Sequence, residues 1–360
     1  MPNSFEAYAH LANQTARTGW YAAIAGIMGR RVAKLSKGVP RFKPTRPVPG
    51  EGELFREALR LQRRDADNVR QGLYPPMRDE ASLAGHIEAL RLMFADLPAS
   101  NERRLAGRGE EAAALPEAEG LPDYYARNFH YQTDGYLSEQ SAQLYDIQVD
   151  TLFIGASGAM RRQALVPIAA YVRGKDQRQL SLLDIACGTG RFLEQAAQAF
   201  PAMPMTGVDL SAAYIETAKE NLADRRKVGL IEGNAEKLPV PDASQDVVTS
   251  IFLYHELPAE VRRKVTAEVV RVLKPGGIYV LVDSLQWGDR PGYDGLLEAF
   301  PVRFHEPYYE NYLADDLAAL FTASGLDGAH AELAFLSKVV VGHKRYNRSV
   351  DLSSSGSAAS

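Results

Sequence analysis

Between residues 181 and 284 short apolar runs and amphipathic stretches take turns along the chain, and this alternation limits the fold more than any other feature. "SLLDIAC", "MTGVDL", "VGLIEGN", "DVVTSIFLY" and "GIYVLVDS" read as strands, and 190–200, 211–224 and 258–273 carry helical spacing. Strands that follow one another through helices pair in parallel, with helices on both faces of the sheet. After a helix near 313–324, "AHAELAFLS" and "KVVVGHKR" can add a hairpin to that sheet. The fold class is therefore α/β.

The first third is different. Residues 4–36 place Phe5, Tyr8, Leu11, Trp20, Ile24, Ile27 and Met28 at helical spacing, which predicts one or two helices. "KGVPRFKPTRPVPGEGE" (37–53) is rich in proline and glycine and reads as an extended linker. Helices are expected at 53–71 and 80–97, the second stopped by Pro98, and 107–120 reads as a mobile connector. A tyrosine-dense segment follows from 121, then one helical stretch, "MRRQALVPIAAYV", that stops before Gly174. The expected organisation is a helical extension or cap at 1–120, an α/β unit at 121–348 and a disordered tail at 349–360.

Charge narrows the partners. The net charge of −4 argues against a dedicated nucleic-acid binder, which needs a basic surface. Residues 1–109 nevertheless hold 18 Lys/Arg against 11 Asp/Glu, and no acid occurs between Glu6 and Glu51. Such a basic, apolar segment can touch an anionic membrane surface, cap the fold or form a dimer contact. Its apolar run is shorter than the roughly 20 residues a bilayer needs, and its charges follow that run, unlike those of a secretory signal. Cys187 is the sole cysteine, so no disulfide can form within the chain and a reducing, cytoplasmic setting is expected.

The first strand ends in "LLDIACGTGRF", where glycines let the backbone approach a ligand at the carboxyl end of the sheet. A phosphate-cradling loop would need GxxxxGK[ST], and the lysine is missing. A dinucleotide turn would need a third glycine where Glu194 stands. An acid before a short GxG remains, with Asp184, Ala186, Gly188 and Gly190 in the turn. Asp209 ends the second strand, where an acid can accept from both ribose hydroxyls.

"DIACGTG" resembles motif I of the class I S-adenosylmethionine-dependent methyltransferases. "GVDLS", "EGNAEKLPV" and "RVLKPGGIYVLVDS" resemble that family's next signatures in the expected order. The resemblance covers roughly 180–285 and implies a Rossmann-like, seven-stranded, mostly parallel sheet. It also implies S-adenosyl-L-methionine as cofactor, with S-adenosyl-L-homocysteine as product. Asp209, Leu210, Asn234 and Ala235 would hold the nucleoside, and Tyr125, Tyr131 or Tyr136, with Arg161, are candidates for the amino-acid end. The chain resembles the broad group that contains the ubiquinone and menaquinone C-methylases and many natural-product O-methylases.

The family's acceptor usually lies beyond the fourth strand, which here ends in "FLYHELP". No Asn/Asp-Pro-Pro-aromatic motif occurs there, which argues against nucleic-acid bases. Tyr254, His255 and Glu256 are candidate catalytic groups, with His255 a general base because its ordinary pKa lies near neutrality. A second cluster, "FPVRFHEPYYENY", falls in an insertion at about 285–312. His305 is a further catalytic candidate there, and Arg303, Tyr308, Tyr309 and Tyr312 are candidates to hold an aromatic or anionic acceptor. Two histidine–glutamate pairs raise the thought of a metal, but the family's metal-dependent catechol methylases use mainly carboxylates and an asparagine, so none is expected. The leading expectation is O- or C-methylation of a small aromatic or lipophilic molecule. A non-methylating cyclase or decarboxylase, or a cofactor-binding scaffold subunit, stays open.

Overall fold

The computed structural model describes residues 4–40, 42–77 and 83–346. The tail expected to be disordered, and Arg41 among the linker cations, lie outside these residues.

The alternating pattern becomes a seven-stranded sheet. Its strands are β1 (Leu182–Ile185), β2 (Met205–Asp209), β3 (Val228–Glu232), β4 (Gln245–Ile251), β5 (Leu273–Ser284), β6 (Leu326–Ala334) and β7 (Ser337–Lys344). The order is β3-β2-β1-β4-β5-β7-β6; β7 runs antiparallel to β5 and to β6, and the other pairs are parallel. Successive side chains enter opposite layers, as the pleat requires. Leu182, Val247 and Val280 join one buried cluster, and Leu183, Val248 and Leu281 the other. Helix α7 (Arg191–Ala199) packs on the first layer through Phe192 and Leu193, as does α8 (Ala212–Asn221) through Ile215. Helix α9 (Ala259–Val272) packs on the second through Val261, Val265 and Val269.

The N-terminal third forms α1 (Ser4–Leu35), α2 (Glu51–Arg70) and α3 (Leu83–Ala106). Pro98 lies inside α3 and does not end it. The turns beyond it are held by tertiary contacts that no local propensity reports: Arg103 is buried and donates to the Tyr131 carbonyl at 3.0 Å. The 107–120 connector is also pinned, since Ala112 is buried and its N–H donates to Asn128 Oδ1 at 2.9 Å. The single stretch expected before Gly174 is two helices, α5 (Ser157–Arg162) and α6 (Leu165–Val172), preceded by α4 (Glu139–Leu152). Alpha-helix α2 docks through Ala58 and Leu61 on Ala156, Met160 and Phe335. Beside this contact the fully buried Asp65 accepts from Arg162 Nη2 at 2.7 Å and Tyr74 at 2.8 Å, and lies 2.7 Å from His10 Nε2.

The proline-rich linker runs along α10 (Asp294–Arg303), which with α11 (Tyr309–Leu313) fills the insertion. Glu298 accepts from the Thr45 and Arg46 amides at 2.8 and 3.1 Å, and Gly295 donates to the Pro47 carbonyl at 2.8 Å. A Cβ at Gly295 would stand 2.2 Å from the Arg46 carbonyl oxygen, so the close approach needs glycine. Helix α12 (Leu317–Ser324) starts at Asp316, whose carboxylate accepts from Ala319 N–H. Phe5, Tyr8 and Trp20 of α1 are exposed. Among the described residues no helix is long and apolar enough to cross a membrane.

Candidate active site

The turn after β1 takes left-handed backbone at Ala186 (φ 53°), Gly188 (φ 55°) and Gly190 (φ 81°). Gly190 then opens α7. Gly188 donates its N–H to Asp209 Oδ2 at 2.7 Å, and Ser211 donates to Asp209 Oδ1 at 2.9 Å. Burial raises the Asp209 pKa while these amide bonds oppose the rise. The ends of β1, β2 and β3 thus meet in one cleft, lined by Ala186, Gly188, Asp209, Leu210, Asn234 and Ala235.

The cleft is roofed by aromatics. Tyr124, Tyr125, Phe129 and Tyr136 come from the 121–137 segment, and Tyr145 from α4. Tyr136 stacks on Phe129 and donates to Glu256 Oε1 at 2.6 Å, while Ser211 Oγ donates to the Tyr136 carbonyl at 2.6 Å. The space left beneath is about 90 Å³, below the roughly 300 Å³ at which small-molecule sites begin.

A second cavity of about 250 Å³ lies on the other side of Glu256. Leu54, Phe153, Phe252, Phe300, Phe304 and Tyr309 give it apolar walls, and the exposed Arg303 stands at its mouth. Tyr145, Phe252 and Glu256 belong to both cavities.

Polar groups gather at this junction. β4 ends at Ile251, earlier than expected; Phe252 takes φ 62° and a short 3-10 turn carries Tyr254–Glu256. Asp283, fully buried near the end of β5, accepts from Tyr254 N–H at 2.7 Å and lies 2.7 Å from His255 Nδ1. Burial works against charge on His255, but the Asp283 carboxylate more than offsets it and raises the pKa to about 9. With Asp283 on Nδ1 the imidazole favours its charged form, which suits a hydrogen-bond donor more than a general base. Burial also pushes Glu256 up, opposed by the His255 charge. Across the cavity His130 Nε2 lies 3.2 Å from Glu306 Oε1. Burial lowers the His130 pKa to about 3, with the His255 charge adding to the fall.

Several expected site residues stand elsewhere. Tyr254 is fully buried away from both cavities, its hydroxyl 2.8 Å from Thr266 Oγ1. The ring of His305 packs against Gly109 and Tyr131. Tyr312 is buried and donates to the Ser284 carbonyl at 2.5 Å, and Tyr308 lines neither cavity. Asp184 accepts from Thr249 at 2.7 Å inside the sheet, and burial raises its pKa to about 7. Arg161 lines a separate small cleft with Arg17, Asp150 and Arg191. Gly190 serves packing, since a Cβ there would be 2.7 Å from Leu222 Cδ1. Cys187 is buried, and burial pushes its thiol well above the ordinary range, which leaves no nucleophile at neutral pH. Not anticipated were His130, Asp283, Tyr145 and the Phe300/Phe304 pair. The "FHY" triplet and the Asp of "VLVDS" were visible, yet nothing in their spacing showed where they would point.

Comparison with known proteins finds relatives for the central part of the chain. Residues 182–277 match a methyltransferase domain family. A ubiquinone/menaquinone biosynthesis C-methyltransferase of Methylobacterium nodulans is 33% identical over 165 residues, 45% of this chain and 63% of that protein. A demethylmenaquinone methyltransferase of Listeria welshimeri is 34% identical over 141 residues, 38% of this chain and 58% of that protein. The chain spans about three fifths of the length of these curated relatives.

Proposed function

From the premise that this chain carries a class I S-adenosylmethionine-dependent methyltransferase domain, we propose that it methylates a small, lipophilic acceptor bearing an ionisable hydroxyl or acidic carbon. One observation carries the reading: the cleft at the glycine turn and the apolar cavity share the wall formed by Tyr145, Phe252 and Glu256. An activated methyl is what the donor supplies when bound, so alignment is the protein's main task.

The residues present suit that donor. Asp209 spends one lone pair of each oxygen on the Gly188 and Ser211 amides, which leaves the carboxylate able to accept from a ribose diol. Asn234 and Ala235 line the same cleft, where the family resemblance would put the adenine, and Asn234 Oδ1 accepts from Glu236 N–H at 2.8 Å. Glu256, where the cavities meet, complements the positive charge that a sulfonium brings.

The acceptor's place is the aromatic cavity. His255 keeps its Nδ1 on Asp283 and turns its other edge to the cavity. As an imidazolium it donates a hydrogen bond to the oxygen of an acceptor that has given its proton to solvent water, and so stabilises that anion, which is the stronger nucleophile. Apolar walls exclude water from that anion, and Arg303 suits a polar substituent left at the mouth.

The test is turnover. The purified protein with methyl-labelled donor and a panel of phenols, hydroquinones and lipid extracts should yield S-adenosylhomocysteine and a labelled small molecule. Label on protein or nucleic acid, or donor binding without turnover on any of these acceptors, would overturn the reading.

A further inference from the structure

Two ligating groups that methyl transfer leaves unassigned, His130 and Glu306, converge with Glu256 beside the acceptor cavity. One atom each of His130, Glu256 and Glu306 lie within 4.8 Å of one another. The residues come from three separate segments: the 121–137 roof, the turn after β4 and the loop before α11.

Glu306 sets this cluster apart from an ordinary acidic patch. It is 2% exposed, and neither carboxylate oxygen accepts a hydrogen bond among the described residues. A buried carboxyl without a donor is costly, and native proteins resolve such groups with a partner, a water or an ion. The neighbour it does have, His130 Nε2 at 3.2 Å, is itself a metal-ligating atom. His130 holds left-handed backbone at φ 56°, a conformation that costs energy in a non-glycine residue and collects at functional sites. Its ring stands edge-on to Phe300 and Phe304, which fixes its direction.

We propose that His130, Glu256 and Glu306 bind one first-row divalent cation, of the Zn²⁺ or Mn²⁺ class, with open coordination positions facing the acceptor cavity. Two carboxylates balance the charge of a dication, and one imidazole with two oxygens is a mixed, borderline-hard donor set that suits these ions. Metal–ligand bonds of about 2.0–2.2 Å put neighbouring ligand atoms roughly 3–3.5 Å apart. The His130–Glu306 pair already meets that spacing, and Glu256 need close by about an ångström. His130 and Glu256 both line the acceptor cavity, so the ligand the ion would take there is an oxygen of the acceptor. His255 Nε2 lies 3.9 Å from Glu256 Oε1 and its Nδ1 is on Asp283, so this pair flanks the site.

Cation binding needs no methyl transfer, so it is tested separately. Untagged protein is stripped with a chelator and titrated with Mn²⁺, reading the free ion by electron paramagnetic resonance and the heat by calorimetry. The expected result is one ion per chain, with affinity at least tenfold weaker in Glu306→Gln and in His130→Gln and unchanged in His330→Ala, an exposed strand histidine. His130 is only half-buried, so its variant keeps the test open if Glu306→Gln does not fold. Absence of stoichiometric binding, or equal affinity in wild type and the cluster variants, overturns the site. Donor binding measured on the same samples separates the two readings: intact donor binding without cation binding would sink the metal site alone.

Discussion

Replacing Asp209 by alanine tests the donor cleft at its most constrained point. The carboxylate has about four acceptor positions, of which the Gly188 and Ser211 amides take two. The Leu210 amide also bonds this carboxylate, and the two hydroxyls of a ribose diol would use what remains. Hydrogen bonds to a charged group contribute about 1.5–3 kcal/mol each, so losing both costs at least about 3 kcal/mol. At 1.4 kcal/mol per tenfold, the dissociation constant for S-adenosylmethionine should rise by roughly a hundredfold or more. The variant also strands the two amides, so a fall in melting temperature is expected alongside. Calorimetric titration of donor and demethylated product, on protein shown by circular dichroism to be folded, measures the effect. Asp209→Asn keeps the size and one acceptor and should lose less. An affinity within threefold of wild type in a folded Asp209→Ala protein would refute the ribose assignment.

Two further outcomes follow from the geometry. His255→Gln should lower turnover by about 10²–10³-fold, the usual effect of losing one donor to a developing anion, while leaving donor affinity unchanged; turnover within fivefold of wild type would remove His255 from the chemistry. Asp65, buried against Arg162 and His10, has its pKa lowered: burial raises it, but the Arg162 charge and the bonds to both partners more than offset that. A depressed folded pKa gives stability that is present above the unfolded value of about 3.9 and is lost as pH falls through the folded value. Asp65→Ala should therefore destabilise by about 3–5 kcal/mol at neutral pH and flatten the acid limb of the melting curve. An unchanged acid limb would contradict the role given to this carboxylate.

How much the sequence disclosed depended on whether the information was local. Leu182 and Leu183 fall into opposite layers because strand periodicity is a property of the backbone, legible without any partner. The glycine turn and Asp209 were legible for the same reason, since left-handed backbone and an acid at a strand end carry their own signal. The acceptor side was different. His305 and Glu306 are neighbours in one loop, yet one packs toward Gly109 and the other turns into the metal-ligand cluster. Tyr254 and His255 likewise sit on opposite sides of a single 3-10 turn. His130 reaches the cavity through a left-handed backbone conformation that the spacing of its segment did not show. Pro98 was misread because Arg103, which holds the helix beyond it, binds a carbonyl 28 residues away.

The partition between the two cavities has a consequence for how ligands must be measured. Tyr145, Phe252 and Glu256 line both spaces, so a ligand that shifts one of these side chains in its own space reshapes the other. Each ligand then acts as an effector of its neighbour. Thermodynamic linkage makes that influence reciprocal, and such coupling is typically about 1–3 kcal/mol. An acceptor screened against the protein alone meets a different Glu256 from one screened with donor or product bound. The ternary complex is the state in which acceptor preference is defined.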